Sequence, residues 1–395
     1  MANLTALEKA NQILGKNSAN DQVNLSSDDL VESMPHISTG SLVIDNLIGG
    51  RLNTHGNPIC PGIPKGRIIN LYGHESSGKT TLALSACTEV YKRGGTVAYI
   101  DFEHAISPLY AEKLSVPILD PKHFTLIQPE TLEDGMKYIW VYTMAGVDLI
   151  VVDSVGACVS QREMEKKVNE QGSIAQVGGI ARMWSQFLPK IKAKMSKSGT
   201  AMIAIAQIRD NISTMGYGDS TTVQGGKAWK FYSAIRIKLQ RMKQEKSMVY
   251  DPISHKKVKQ TTANQIKCKL EKNKIGATQN HEAFFYIQQG EGIDNIRSLI
   301  DTGIAHKVIK KGGAWITWNV NGEDKKAQGF DNFKQMILMD NLVEELQQSV
   351  MPHIRSAMET MADLGDNTGA EEEDDFNMEE LKSILGADGV SADKD

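Results

Sequence analysis

The sequence predicts an α/β protein with a mostly parallel central sheet, and three observations carry this prediction. Residues 96–101 and 148–153 are continuous apolar runs with helical stretches between them, as expected of strands that helices cover on both faces. Residues 73–80 read Gly-His-Glu-Ser-Ser-Gly-Lys-Thr and join a strand-like run to a helix-like run. The later apolar runs follow one another closely, so we expect antiparallel strands at one side of the sheet.

The strand candidates share a high apolar content and flanking polar or glycine residues. They are residues 67–72, 96–101, 148–153, 200–207, 234–240, 265–270 and 284–288. Residues 162–181 are polar and glycine-punctuated, and residues 208–226 form a long loop inside the domain. Loops of this length are usually functional or disordered.

Four segments follow from the changes of composition along the chain. Residues 1–35 hold a short amphipathic helix and a polar linker, and residues 36–290 hold the α/β core. Residues 291–362 predict a small α+β domain of helices with one short strand at 314–318. The acidic tail at 363–395 has too few apolar residues for a core, so we expect it to be disordered.

Composition excludes several protein classes. With 41% hydrophobic and 23% charged residues, the chain of 395 residues is ordinary for a soluble protein of two or three domains. It has no apolar run of 18 residues, so no membrane span is predicted. Its four cysteines lie far apart, which argues against a zinc site or a disulfide framework and favours a reducing cytoplasm.

Charge is distributed unevenly around a net value of −4. Residues 363–395 hold 12 acidic and 2 basic residues, whereas residues 227–274 hold 14 Lys or Arg against 3 Asp or Glu. A basic middle and an acidic tail favour an anionic polymer as partner, with the tail as its internal mimic. A solvated surface beside a disordered tail explains the same charges, and on charge alone both interpretations stay open.

Residues 73–80 fit G-x-x-x-x-G-K-[ST], the phosphate-binding P-loop, in the strand–loop–helix context that the motif requires. We expect Lys79 to reach the β- and γ-phosphates of ATP and Thr80 to coordinate Mg²⁺. The residues expected to line the nucleotide are Gly73, His74, Glu75, Ser76, Ser77, Gly78, Lys79, Thr80 and Thr81.

Three strand ends carry further candidates. Asp153 ends an apolar strand and fits a Walker B carboxylate that holds Mg²⁺. Glu103 follows another strand and is the candidate general base, although a carboxylate that caps the next helix is the alternative. Gln207 ends a third strand, where an amide can sense the γ-phosphate, although a surface glutamine is at least as consistent with sequence alone.

The order and spacing of these motifs resemble the RecA recombinases of bacterial type over roughly residues 36–330. The stretches that carry the resemblance are 37–41, 73–80, 101–105, 149–154, 206–209, 225–232, 272–275, 290–293 and 312–315. The resemblance implies a DNA-dependent ATPase that forms a helical filament on single-stranded DNA, pairs it with homologous double-stranded DNA and exchanges strands. It also implies partners such as single-strand-binding and mediator proteins, reached through the acidic tail.

The resemblance assigns further roles. Tyr110 would stack on adenine, Lys272 and Lys274 would reach ATP across a subunit interface, and the N-terminal helix would dock on a neighbouring subunit. Residues 168–181 and 208–226 resemble the two DNA loops of the family. The residues in positions that contact DNA are Arg182, Ser185, Arg209, Gly225 and Gly226.

The chain also departs from the family pattern. Residues 52–61 resemble an insertion, His74 replaces a usual proline, and Ser107 replaces a usual acidic residue near adenine. Such divergence is compatible with a phage-encoded member. The rival interpretations are another RecA-fold motor, such as a helicase or a branch-migration ATPase, and an inactive DNA-coating relative.

Overall fold

The structure is a computed structural model that describes residues 34–50, 52, 58–164, 179–210, 221–251, 255–275 and 281–362. The predicted helix near residues 4–15, most of the predicted first DNA loop, residues 211–220 and the acidic tail lie outside the described residues.

Strands in the described part are β1 (His36–Ile37), β2 (Ile63–Pro64), β3 (Ile68–Gly73), β4 (Val97–Asp101), β5 (Phe124–Ile127), β6 (Leu149–Asp153), β7 (Ala201–Asp210), β8 (Thr221–Val223), β9 (Ile235–Asp251), β10 (Lys256–Asn273), β11 (His281–Gln288), β12 (Gly292–Ile293), β13 (Ile309–Gly312), β14 (Trp315–Val320) and β15 (Glu323–Gln328). Helices there are α1 (Leu42–Gly49), α2 (Lys79–Lys92), α3 (Pro108–Lys113), α4 (Leu132–Ala145), α5 (Gln161–Met164), α6 (Gly179–Ser198), α7 (Ala228–Tyr232), α8 (Asn295–Ala305), α9 (Phe330–Met339) and α10 (Val343–Ala362).

A ten-stranded sheet forms the centre of the molecule, in the order β12-β11-β10-β9-β3-β7-β6-β4-β5, with β8 paired to β7. The six strands from β5 to β9 in this order pair in parallel. From β9 onward the pairs are antiparallel. The predicted α/β fold with antiparallel strands at one side is therefore confirmed.

Apolar residues cover both faces of this sheet. One cluster joins alternate residues of the central strands to α1, α2 and the C-terminal helices, and includes Ile69, Leu82 and Phe285. The second lies beneath α4, α6 and α7, and includes Ile68 and Trp184. Ile68 and Ile69 contact opposite faces, and every residue of β3 is buried, which explains the mostly apolar runs in the sequence.

The small C-terminal unit differs from its prediction. A single short strand at 314–318 was expected, but β13, β14 and β15 form a three-stranded antiparallel sheet. β15 reads Glu-Asp-Lys-Lys-Ala-Gln and is mostly exposed, so it carries no apolar signal. β12 pairs with β11 and extends the large sheet to Ile293, so the predicted division at residue 291 stays a prediction.

Three further features were absent from the sequence predictions. β5 has only four residues, and β9 and β10 have 17 and 18 residues instead of the seven and six expected. The expected loop at 208–226 is shorter, because β7 continues to Asp210 and pairs with β8.

In the described ranges, no helix is long and apolar enough to cross a bilayer.

Candidate nucleotide and DNA site

The P-loop leads from the carboxyl end of β3 into α2. Gly78 precedes the helix with φ 88°, a left-handed conformation that glycine adopts without strain. A Cβ atom at Gly78 would lie 2.5 Å from Ile287 Cδ1, and one at Gly73 would lie 2.2 Å from the Leu239 carbonyl oxygen. The two glycines therefore let the loop pack closely against β9 and β11 at the N-terminus of α2, where backbone N–H groups favour an anion.

Two side chains of the loop fit a polyphosphate. The Lys79 ammonium donates to the carbonyl oxygens of Gly73 and His74 at 3.1 and 2.7 Å, so it already lies across the loop. Burial lowers the pKa of Lys79, whereas the carboxylates of Asp153, Glu103 and Glu75 raise it. The Ser77 hydroxyl is buried and has no hydrogen-bond partner among the described residues. A buried cation and an orphaned hydroxyl are what a phosphate ligand would satisfy.

Thr80 and Asp153 come together as the sequence predicted. The Thr80 hydroxyl donates to Asp153 Oδ2 at 2.9 Å, and the Tyr99 hydroxyl donates to the same oxygen at 2.7 Å. Burial raises the pKa of Asp153 to about 6, and the two hydrogen bonds act in the opposite direction. The pair suits Mg²⁺, which typically takes one or two protein oxygens and completes its shell with phosphates and water. Within the described residues no cluster of three or more His, Cys, Asp or Glu side chains gathers as an independent metal site.

Glu103 follows β4, at the same edge of the sheet as the P-loop. Asp101, rather than Glu103, caps the following turn, because its carboxylate accepts from the N–H groups of Ala105 and Ile106 at 3.4 and 3.2 Å. Gln128 also donates to Asp101, at 3.1 Å. Asp101 thus holds this turn, and Ser107 caps helix α3 by accepting the Tyr110 N–H at 3.3 Å, so neither role falls to Glu103.

Gln207 connects two parts of the site. Its amide Nε2 donates to Glu103 Oε1 at 2.9 Å, while its backbone carbonyl accepts the Gln224 N–H at 2.9 Å. Gln224 stands immediately before Gly225, one of the predicted DNA-contact residues. One residue therefore contacts both the candidate base and the candidate DNA segment.

A cavity of about 930 Å³ opens beside the P-loop. Ser76, Thr81 and Tyr110 line one side, and Gln244 and Asn264 of the β9–β10 hairpin line the other. The Tyr110 and Thr81 hydroxyls lie 2.9 Å apart, so the tyrosine is fixed beside the loop where a nucleobase would follow the phosphates. The size and position of the cavity suit a nucleotide.

The predicted DNA residues fall on neighbouring elements. Arg182 and Ser185 are exposed on α6, and Gly225 and Gly226 form the turn between β8 and α7. A Cβ atom at Gly226 would lie 2.6 Å from Ala181 Cβ, so this turn touches the first turn of α6. The Arg209 backbone pairs with Thr222 across β7 and β8. These five described positions therefore lie on neighbouring elements, α6, the turn before α7 and the β7–β8 pair.

An i, i+2 spacing on a strand would orient Lys272 and Lys274 the same way. However, β10 ends at Asn273, so Lys272 lies on the strand and Lys274 follows it. The Lys272 ammonium donates to the carbonyl oxygens of Lys230 and Phe231 at 2.7 and 3.1 Å, and Lys274 is exposed. Burial lowers the pKa of Lys272 to about 8, and the positive charge of Lys274 adds to the effect. A group of uncompensated cations favours an anionic ligand here.

Sequence reasoning missed Tyr99 and Asp101 as positioning residues. Tyr99 is fully buried in β4 and holds Asp153, which is 54 positions away. A tyrosine in an otherwise aliphatic strand next to a Walker B candidate is the signal that could have identified it, since a buried hydroxyl needs a partner.

Known proteins resemble this chain over most of its length. The sequence profile of the RecA N-terminal domain matches residues 2–294. Protein RecA of Chlorobaculum parvum is 37% identical over 354 residues, covering 89% of this chain and 91% of that protein. Protein RecA of Helicobacter hepaticus is 39% identical over 337 residues, covering 85% and 88%. The crystal structure of the RadB recombinase covers 65% of this chain and 98% of that chain at 21% identity and TM-score 0.43, which is too remote to bear on the assignment. The chain belongs to the RecA family, of the bacterial type, with a function in DNA recombination and repair.

Proposed function

We propose that the chain is a DNA-dependent ATPase that forms a helical filament on single-stranded DNA and exchanges strands with homologous duplex. The observation that carries this proposal is the contact of Gln207 with Glu103 on one side and Gln224 on the other. An ATPase coupled to DNA needs such a connection, because DNA binding must alter the position of a catalytic group.

The geometry supports the following catalytic assignment. Glu103 would accept a proton from the attacking water, Lys79 would neutralise the β- and γ-phosphates, and Thr80 with Asp153 would hold Mg²⁺. Bound ATP and Mg²⁺ supply the phosphoanhydride bond and the charge that polarises it. Gln207 holds the Glu103 carboxylate from one oxygen and leaves the other oxygen available.

The other members of the site have supporting roles. Tyr110 would stack on the adenine, and Lys272 with Lys274 would reach the ATP of a neighbouring subunit in the filament. Arg182, Ser185, Arg209, Gly225 and Gly226 would contact the DNA backbone, where arginines neutralise phosphates and glycine N–H groups allow close approach. These assignments fit an active recombinase better than an inactive coating protein, because Lys79, Thr80, Glu103 and Asp153 are all in place.

A strand-exchange assay combined with negative-stain images tests the proposal. The full chain with ATP, Mg²⁺ and a circular single strand should form helical filaments and transfer the complementary strand of a linear homologous duplex. A heterologous duplex is the matched control and should yield no product. Hexameric rings with duplex unwinding, or coating without strand transfer, would contradict the proposal and indicate a helicase or an inactive relative.

A further inference from the structure

The β9–β10 hairpin extends beyond the large sheet as a two-stranded ribbon. β10 pairs with β11 only from Ala263 onward, whereas β9 and β10 continue to pair from Lys246↔Thr261 to Asp251↔Lys256. We call residues 246–251 and 255–261 the arm. In the described part of the chain, no third strand pairs with it.

One face of the arm is cationic and partly apolar. Met248 lies opposite Lys259 and Tyr250 lies opposite Lys257, and Lys246 continues the same row. Residues directly opposite each other in an antiparallel pair, and residues two apart on a strand, share a face. Met248 and Tyr250 are 60% and 56% exposed, and the three lysines are exposed too. In the described part of the chain, this face is therefore exposed.

The charges of the arm lack neutralising partners. Lys246, Lys256, Lys257 and Lys259 take part in no ion pair among the side chains that the structure describes. By contrast, Glu245, immediately below the arm, forms an ion pair with Arg297 of α8. Four exposed cations on a narrow projection attract an anionic polymer.

The base of the arm is held firmly. The Arg297 guanidinium lies 4.5 Å from the Tyr286 ring and 4.4 Å from the Phe330 ring, in addition to its contact with Glu245. These contacts join the hairpin to β11, α8 and α9. An anchored ribbon can hold a ligand in a fixed position relative to the sheet.

We propose that the arm binds double-stranded DNA by lying in its major groove. The major groove of B-form DNA is about 12 Å wide and admits a two-stranded β-ribbon, whose strands lie about 4.8 Å apart. Lys246, Lys257 and Lys259 then reach backbone phosphates, and Met248 and Tyr250 contact the groove floor. Contacts of this kind neutralise phosphates and read little sequence.

Single-stranded DNA fits the arm less well. Binding of single strands relies on several aromatic side chains spaced so that successive bases can stack on them. The described arm offers only Tyr250 and His255, and these two rings pack on each other with centroids 6.3 Å apart. The predicted single-strand contacts lie elsewhere, on α6 and at the turn before α7. The inference goes beyond the proposed function because it gives the incoming duplex a separate binding element.

The test measures duplex affinity across a salt series. Lys246→Gln/Lys257→Gln/Lys259→Gln in the full chain should weaken binding of a short fluorescent duplex roughly 10- to 100-fold at about 0.1 M salt. The slope of log K against log salt should become shallower by about 2.7, since each lost phosphate contact removes about 0.9. The control, Lys122→Gln/Lys137→Gln/Lys307→Gln, changes the net charge equally at exposed lysines of other elements and should leave the slope nearly unchanged.

Two further measurements complete the test. The second duplex carries bulky glucosylated hydroxymethyl groups on its cytosines, in the major groove. The wild type should bind this duplex more weakly than the unmodified one. The arm variant should bind the two duplexes with the same weak affinity. ATP turnover on single-stranded DNA, which tests the proposed function, should be unchanged in the arm variant. Wild-type duplex affinity in the arm variant would overturn the inference and favour an acidic protein segment as the occupant. An equal loss in the control, or a matching loss of single-strand-stimulated turnover, would also overturn it.

Discussion

The Gln207 amide donates to Glu103 across 2.9 Å, although the two residues are 104 positions apart. The parallel order of β4, β6 and β7 places the carboxyl ends of these strands at one edge of the sheet. The hydrogen bond fixes the candidate base at a point that also touches the segment before Gly225. Under the proposed function, DNA contact at that segment is expected to change the position of the Glu103 carboxylate.

Gln207→Ala should uncouple ATP turnover from DNA. The variant loses the only described donor to the Glu103 side chain. The factor by which single-stranded DNA stimulates turnover should therefore be roughly tenfold or more smaller than in the wild type. ATP binding should persist, because Lys79 and Thr80 are unchanged. ATPase rates with and without single-stranded DNA measure this effect. Gln348→Ala on the exposed side of α10 is the control, and equal stimulation in both variants would refute the coupling role.

Tyr99→Phe should shift the pH dependence of turnover. The Tyr99 hydroxyl lowers the pKa of Asp153 by donating to its charged form, against burial, which raises that pKa to about 6. Without this donor the pKa of Asp153 rises further, so Asp153 is protonated up to a higher pH. The acid limb of the pH–rate profile should therefore shift to higher pH. The variant should also need more Mg²⁺ for half-maximal turnover. A pH–rate series measures the shift, with the exposed Tyr138→Phe as control; superimposable profiles would contradict the role of Tyr99.

A mixing experiment tests whether the lysines act across a subunit interface. Lys272→Ala/Lys274→Ala has an intact P-loop, and Lys79→Ala has intact lysines, so each alone should turn over little ATP on single-stranded DNA. Mixed filaments should recover part of the activity, because some interfaces combine a functional P-loop with functional lysines. Normal turnover by the double variant alone would leave both lysines as surface charges.

Asp45 predicts a pH dependence of stability that is separate from catalysis. Its carboxylate is 7% exposed and accepts from the Ser38 hydroxyl and the Thr39 N–H at 2.5 and 2.8 Å. Burial raises its pKa from 3.8 to about 6 despite these hydrogen bonds. A raised folded-state pKa contributes stability below the unfolded pKa, and this contribution is lost as the pH rises through about 6.

Asp45→Asn removes that ionisation. Between about pH 4.5 and 7.5 the free energy of unfolding of the wild type should fall relative to the variant by about 2 kcal/mol. Denaturant unfolding at several pH values measures the difference. A constant difference between the two proteins across this range would show that Asp45 keeps an ordinary pKa.

The sequence predicted the parts of the fold that have a strong local signal. β3, β4 and β6 are buried on both faces, and the expected runs match them to within one residue at each end. The sequence did not predict β5, because four residues with a partly exposed pattern resemble a loop. The sequence did not predict the arm either, because its strands are exposed to solvent and their polar residues show no apolar periodicity.

The proximity of the candidate residues was more predictable than their contacts. Motif spacing predicted that Thr80 and Asp153 lie close together, and their side chains are 2.9 Å apart, while their roles stay predictions. Asp101 and Glu103 both lie at the end of β4, so either carboxylate could hold the next turn. Only the structure shows that Asp101 holds the turn and that Glu103 accepts from Gln207. The contact of Gln207 with Glu103 depends on strand order, which sequence alone left open.

ATP turnover by the wild type and by Glu103→Gln, with and without single-stranded DNA, is the decisive measurement of a DNA-coupled ATPase. The wild type alone should turn over ATP slowly and should be strongly stimulated by single-stranded DNA. Glu103→Gln should still bind ATP and DNA, yet its stimulated rate should fall on the order of 10²- to 10⁴-fold, because only the proton-accepting carboxylate is lost. Wild-type turnover that ignores DNA, or a Glu103→Gln rate equal to that of the wild type, would contradict the account.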